Sequence, residues 1–434
     1  MKNLFFLIFI HLFLNLSYAQ QTPAESQKEI ITIKGAVAHI GNGERIENSM
    51  LILEKGKIKA VGASGAMTEE GTVIDASGKH IYPGFIATNT TLGLIEIDAV
   101  RATRDNQEIG TFNPHIRSII AYNAESKIVE TMRPNGVLTA QVVPRGGRIS
   151  GTSSVVQLDA WNWEDAIVKE NDGIHLNWPS PFTRGKWWLG EDPGLKPNKK
   201  YAEQVNELST YFNKAKAYSA NPKKTHLPFE AMRGVFSGDQ IVFIHADHEK
   251  AILDMISFSI KQNILSKVVL VGGYHAYKLI DDLKQNNISV LLTRTHSLPK
   301  FEDDDYDLPY KQAVMLSKSG ILVALQNSGD MERANTRNLP FQAGTVAAYG
   351  LDKEKALQLI TENPAKILGI EDRLGTLTVG KDATLFISIG DALDMRTNQL
   401  EKAFIQGREI SLETHQTELW KRYSEKYQKQ STGN

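Results

Sequence analysis

Residues Tyr82–Gly93 read YPGFIATNTTLG. Pro83-Gly84 opens the stretch, Phe85-Ile86-Ala87 is a short apolar run, and the run ends in the polar residues Thr88, Asn89, Thr90 and Thr91. A short, nearly continuous apolar run bounded by Gly and Pro is the pattern of a strand buried on both faces. In a barrel the C-terminal end of such a strand is where reactive groups collect. Here that end carries Asn89 and Thr91, two residues apart. An amide or hydroxyl oxygen is a weaker donor to a divalent transition metal than a neutral imidazole.

Upstream of this strand the chain is β-rich. Ile30–Ile40, Ser49–Leu53, Lys57–Val61 and Thr72–Ile74 are short runs with β-branched residues, punctuated by Gly35, Gly41, Gly43, Gly56 and Gly62. A similar texture returns near the other end, in Gly375–Val379, Ala383–Ile387 and Ala403–Ile405. A β-unit split between the two ends implies that something is inserted between its halves. The middle alternates strands with helices. Gly136–Val143, Ser150–Leu158, Ile241–Ala246, Val268–Val271, Ser289–Thr293 and Ile321–Gln326 read as strands; Glu249–Lys261, Ala276–Lys284, Tyr310–Ser319 and Leu339–Tyr349 read as helices. That alternation predicts a (β/α)-barrel. Residues from about 160 to 230 break the rhythm and hold five of the six Trp, so they read as an insertion over one barrel face. Its aromatic residues would line a pocket or cement a satellite core. A peripheral helix is expected within 413–434, where Trp420, Tyr423 and Tyr427 share one face.

Composition bounds the rest. With 434 residues, 41% hydrophobic and 23% charged, the chain is long enough for one large domain and a smaller one. A net charge of −1 without a Lys/Arg stripe argues against nucleic acid as a partner. There is no Cys, so disulfides, thiolate nucleophiles and Cys-ligated zinc are excluded. Lys2, the apolar run Leu4–Leu16 and Ser17-Tyr18-Ala19 form the pattern of a signal peptide over residues 1–19. Export to the periplasm or medium is the expectation, with no membrane span after cleavage.

The phrases GKIKAVG at Gly56–Gly62, VIDASGKHIYPGFI at Val73–Ile86, NPAKILGI at Asn363–Ile370 and GTLTVGKDATL at Gly375–Leu385 resemble the amidohydrolase superfamily, in its imidazolonepropionase-like branch. The resemblance implies an α/β fold: a (β/α)8 TIM-like barrel over 83–370, inserted into a small β-sandwich built from 29–82 and 371–412. It implies hydrolysis of a non-peptide C–N bond, as in a cyclic amide, with a divalent metal, zinc above all, as cofactor. The superfamily places two His on strand 1, a His on strand 5, a His on strand 6 and an Asp on strand 8. At those places this chain has Asn89 and Thr91, then His245, then Gly272-Gly273, then Ser328, with Asp330 two residues further on.

Two readings follow. In the first, a remodelled hydrolase uses Asp330 as base and His245 as ligand or acid, with a rebuilt metal site from His245, His275 and Asp330. In the second, a non-catalytic relative needs no metal; it binds a small molecule or stabilises an active partner subunit, or forms a homo-oligomer. Without a metal, bound water keeps a pKa near 15.7 instead of about 7, so hydroxide is not supplied at neutral pH. Arg145 and Arg148, in the Gly-rich loop Pro144–Arg148, are candidate substrate-binding groups together with Asn89; the alternative is a hairpin turn with exposed Arg.

Overall fold

The structure, a computed structural model, describes residues 22–222, 224–329 and 331–431. The expected signal peptide lies outside the described residues, and so does Asp330.

Eight strands form one sheet in sequence order: β1 (Phe85–Thr90), β2 (Val137–Val142), β3 (Ile149–Gln157), β4 (Ile167–Asn177), β5 (Ile241–Ala246), β6 (Val268–Gly272), β7 (Ser289–Leu292) and β8 (Val323–Leu325). A parallel bridge between Thr88 and Gln326 and a hydrogen bond from Thr88 Oγ1 to Leu325 O at 3.2 Å bring the last strand back to the first. The result is the expected α/β barrel, nearly closed. It departs from eightfold β/α repetition in its first half: 3-10 turns rather than an α-helix join β1 to β2, and β3 runs antiparallel to both β2 and β4. Two hairpins therefore replace two crossovers, and the Pro144–Arg148 loop is one of the hairpins. From β5 onward every pairing is parallel. Helices α1 (Glu249–Gln262), α2 (Ile280–Gln285), α3 (Leu308–Lys318) and α4 (Leu339–Ala348) follow β5 to β8. In α1 the buried positions Ala251, Ile252, Met255, Ile256 and Ser259 repeat at helical spacing, and Asn263 ends the helix at φ 59°.

Strand alternation sorts side chains between two cores. Val242, Ile244 and Leu270 pack outward against the helices, whereas Ile86, Val155, Phe243, Val269, Val271, Leu291 and Ala324 fill the barrel interior. Ala365, Ile367, Leu368 and Leu374 plug the interior from below.

Two further sheets flank the barrel. One pairs Lys57–Ala63, Ser49–Glu54, Ile31–Lys34 and Thr72–Asp75. The other, six-stranded, takes three strands from each end of the chain; its centre is the antiparallel pair His80–Pro83 with Leu385–Ser388. Ile33, Leu51, Ile81, Leu385 and Phe404 share one apolar cluster.

The stretch read as an insertion from about 160 starts later than that. Ile167–Asn177 is barrel strand β4, and the elaboration begins after it, with the hairpin Phe182–Arg184/Leu195–Pro197 and the helix Tyr201–Ala220. The charged first half of β4, VKEND, hides the strand pattern. Nor do the Trp residues form one satellite core: Trp178 is buried, but Trp161, Trp187 and Trp188 are 63%, 70% and 65% exposed. The C-terminal helix spans His415–Ser431, with Trp420, Tyr423 and Tyr427 exposed. Among the described residues no helix is long and apolar enough to cross a membrane.

Candidate functional site at the barrel mouth

At the C-terminal strand ends lies a cavity of about 320 Å³, lined among others by Asn89, Trp178, His245, Thr293, Gln326 and Ser328. Asn89 sits in a bulge of β1, where the pairing register with β2 shifts between Ala87 and Thr90. Its φ of 52° is left-handed, a conformation that Asn tolerates better than most residues. Its backbone N–H, turned out of the ladder, donates to Gln141 Oε1 at 3.0 Å. Its side chain is used at both ends: Nδ2 donates to Gln326 Oε1 at 2.9 Å, and Oδ1 accepts from Arg145 Nη1 at 2.7 Å. Arg145 Nη2 reaches Asn89 O at 2.8 Å and Glu332 Oε1 at 3.1 Å. Thr91 Oγ1 donates to the same Glu332 oxygen at 2.5 Å. The two polar residues at the end of strand 1 are thus clamped by an Arg–Glu pair.

Inside the barrel a second polar set meets the first. Ser153 Oγ lies 2.7 Å from Asp172 Oδ1, and Gln141 Nε2 donates to Asp172 Oδ2 at 2.7 Å. His175 Nε2 is 3.0 Å from Ser153 Oγ, and His175 Nδ1 is 2.9 Å from His245 Nε2. The His175 ring stacks on Phe243 at 4.6 Å, which fixes its plane. Burial pushes the Asp172 carboxyl up to about 6, against the opposing pull of hydrogen bonds from Ser153 and Gln141. Burial, with Arg145 adding to it, pushes His245 down to about 3. His175 falls well below the ordinary histidine range through burial, then through His245 and Arg145. Both imidazoles are therefore neutral at neutral pH. A ring so reluctant to take a proton is a weak general base and a good neutral hydrogen-bonding group.

The expected residues divide as follows. Asn89 and His245 line the cavity. Arg145 is not among the lining residues and forms the clamp just described. Arg148 points elsewhere, donating from Nη1 to Asn177 O at 2.9 Å while its Nε is buried without a partner. His275 lines a neighbouring hollow of about 300 Å³, stacked on Phe301 at 5.1 Å and sharing Asp247 and His248 with the mouth. Among the described residues no three His, Asp or Glu side chains gather as a metal ion would require. The donor chemistry agrees. Asn89, Thr91 and His245 Nε2 already hold protein partners, and a guanidinium stands beside the strand-1 position. These residues do not fit the superfamily's divalent metal. Another hollow, lined by Glu130, Arg133 and Asp159, lies away from the strand ends, and there Arg133 and Arg408 are tied to Asp159 as a structural ion pair.

Sequence reasoning passed over Gln141, Ser153, Asp172, His175, Gln326 and Glu332. A signal existed for His175: once Gly173–Asn177 is read as a strand, Ile174 and Leu176 alternate with Gly173, His175 and Asn177.

Residues 220–410 match the amidohydrolase family, whose members usually bind divalent metals. Among solved structures, an amidohydrolase from Thermotoga maritima MSB8 is 25% identical, with a TM-score of 0.75 over 88% of this chain and 99% of that one. Molinate hydrolase shares 16% identity at a TM-score of 0.55, over 91% and 96% of the two chains. Phenylurea hydrolase B shares 14% at 0.53, over 88% and 97%; at these identities the likeness shows the fold alone. No curated protein matches the chain. The match over the second half of the barrel and the likeness along most of the chain support a hydrolase fold of the amidohydrolase superfamily.

Proposed function

We propose that this protein is an amidohydrolase-superfamily member that binds a small amide-like molecule at its barrel mouth without a resident divalent metal. One observation carries the reading. The groups at the strand ends are committed to protein hydrogen bonds, Asn89 to Arg145 and Gln326 and Thr91 to Glu332, which leaves His245, with His248 at the rim, as the imidazoles lining the cavity. Such a mouth offers hydrogen bonds and an apolar wall from Trp178, but no group that supplies hydroxide. Stabilisation of an active partner subunit, or a homo-oligomer, would give such a chain a use. Export is part of the proposal and rests on Lys2, Leu4–Leu16 and Ser17-Tyr18-Ala19.

Hydrolysis of a non-peptide C–N bond, with zinc, is the second reading. It is favoured by the likeness to the Thermotoga amidohydrolase over 88% of this chain. Elemental analysis of the purified protein after dialysis separates the two. The first reading expects well under one equivalent of zinc, manganese or iron, and no chelator-sensitive hydrolysis of cyclic amides. Stoichiometric metal that disappears on His245→Ala, together with chelator-sensitive turnover, would establish the second.

A further inference from the structure

We infer that Asp172 and Ser153, acting through His175, fix His245 with a bare Nδ1 toward the barrel mouth, so that the bound molecule must bring an N–H or O–H donor to that atom. The inference rests on the mouth being a binding site, as proposed above.

Protons can be counted along one chain of contacts. Ser153 has one hydroxyl hydrogen. Its possible acceptors are Asp172 Oδ1 at 2.7 Å, Gly173 O at 3.1 Å and His175 Nε2 at 3.0 Å. Near pH 7.5 Asp172 is ionised, and a carboxylate oxygen at 2.7 Å has no hydrogen of its own, so the hydroxyl hydrogen goes to Asp172 and Ser153 Oγ accepts from His175 Nε2 at 3.0 Å. The second lone pair of the hydroxyl faces Gln141 Nε2 at 3.3 Å, which completes its inventory. His175 is fully buried with no carboxylate against its ring, so it carries a single proton, and that proton is on Nε2. Its Nδ1 is then a lone pair facing His245 Nε2 at 2.9 Å. Two bare nitrogens at that distance repel, so His245 holds its own proton on Nε2. The remaining atom, His245 Nδ1, has no hydrogen-bond partner among the described residues, and the ring lines the mouth cavity. The polarity of the mouth is therefore decided two residues away, by a serine and an aspartate that touch no ligand. They are positioning residues.

The consequence for recognition is specific. A secondary amide or a hydroxyl-bearing molecule can donate to His245 Nδ1, whereas its N-alkylated counterpart leaves that lone pair unpaired in a partly desolvated site.

The test uses the whole protein with 15N-labelled histidine near pH 7.5, where Asp172 is ionised. Long-range proton–nitrogen correlation reads which ring nitrogen is protonated, and His245→Gln assigns the signals. Both His175 and His245 should be Nε2-protonated. Ser153→Ala should turn them into a mixture, and Ser153→Thr should restore the single form, which a merely structural role would not do. Calorimetric titration then compares 2-pyrrolidinone with N-methyl-2-pyrrolidinone, and the N–H probe should bind about tenfold more tightly. Protonation of His245 on Nδ1, or no change in Ser153→Ala, overturns the inference even if a probe binds. Equal affinity of the two probes overturns the donor requirement. The expected tautomers with binding of neither probe would leave the proton count standing and sink the binding reading instead.

Discussion

Acid should destabilise this protein through His245, and a single substitution should remove that sensitivity. The ring is neutral in the fold because its pKa is pushed from 6.5 down to about 3 by burial and Arg145. In the unfolded chain it regains an ordinary pKa near 6.5. The folded state thus binds fewer protons than the unfolded state below that value. The stability due to the neutral ring is fully present above pH 6.5 and is lost as the pH falls toward 3. Near pH 5 the unfolded histidine has gained almost a full proton, which corresponds to about 1.5 pKa units, or roughly 2 kcal/mol. Water reaching the cavity edge of the ring screens part of this, so about 1–2 kcal/mol is expected. His175 acts in the same direction. Asp172 opposes both: its carboxyl is pushed up to about 6, so its burial penalty is relieved as the pH falls below that value. Comparing the parent with His245→Gln cancels most of these common contributions, and Gln keeps a group that can meet His175. Urea unfolding of both proteins near pH 7.5 and near pH 5, at one ionic strength, is the assay. The parent should lose about 1–2 kcal/mol more than the variant over that interval. Parallel losses would show that His245 is not held neutral by burial, and the electrostatic account of the mouth would fail.

Other perturbations follow from the same contacts. Arg145→Ala strands Glu332, which also accepts from Thr91 and Gly329, and should cost about 2–4 kcal/mol in thermal or urea unfolding; Arg145→Ala with Glu332→Gln should recover part of it, and strict additivity would contradict the clamp. Introducing His at Asn89 and Thr91 should raise zinc affinity in calorimetric titration, and adding Arg145→Gln should raise it further by removing the nearby cation; no gain in either would mean the strand-end side chains cannot converge. Ending the chain before Gly375 removes the Leu385–Ser388 partner of His80–Pro83 and should leave insoluble or protease-labile protein, whereas removal of the exposed helix His415–Ser431 should lower the unfolding midpoint much less.

Much of the fold is legible in the sequence because parallel barrel strands are short apolar runs. Ile241–Ala246 and Val268–Gly272 can be read almost to the residue, and α1 declares itself by its period. The strand β4 was not legible, since its first half is IVKEND, with Asn171 at φ 52° interrupting the alternation. Losing that strand hid His175 and Asp172 from view. The site was legible only where it sits at a strand end, as Asn89 and His245 do. The relay joins residues 70 positions apart through inward-facing side chains, and no local pattern encodes the meeting of His175 with His245. Glu332, in a short helix beyond β8, likewise becomes functional only through its distant partners Arg145 and Thr91.

The reversed strand β3 carries a consequence for how the molecule comes together. A βαβ crossover must close a loop of a dozen residues or more before its strands can pair, whereas a hairpin pairs neighbours. Strands β2, β3 and β4 are contiguous, from Val137 to Asn177, and antiparallel at each step. Gln141, Ser153, Asp172 and His175 all lie within that single meander. Their hydrogen bonds can form at short sequence separation, before β5 to β8 and their helices are in place. His245, brought in by the parallel half, then meets an acceptor already assembled. On contact order, the most local segment is expected to template the barrel mouth, with the long-range half of the chain docking onto it.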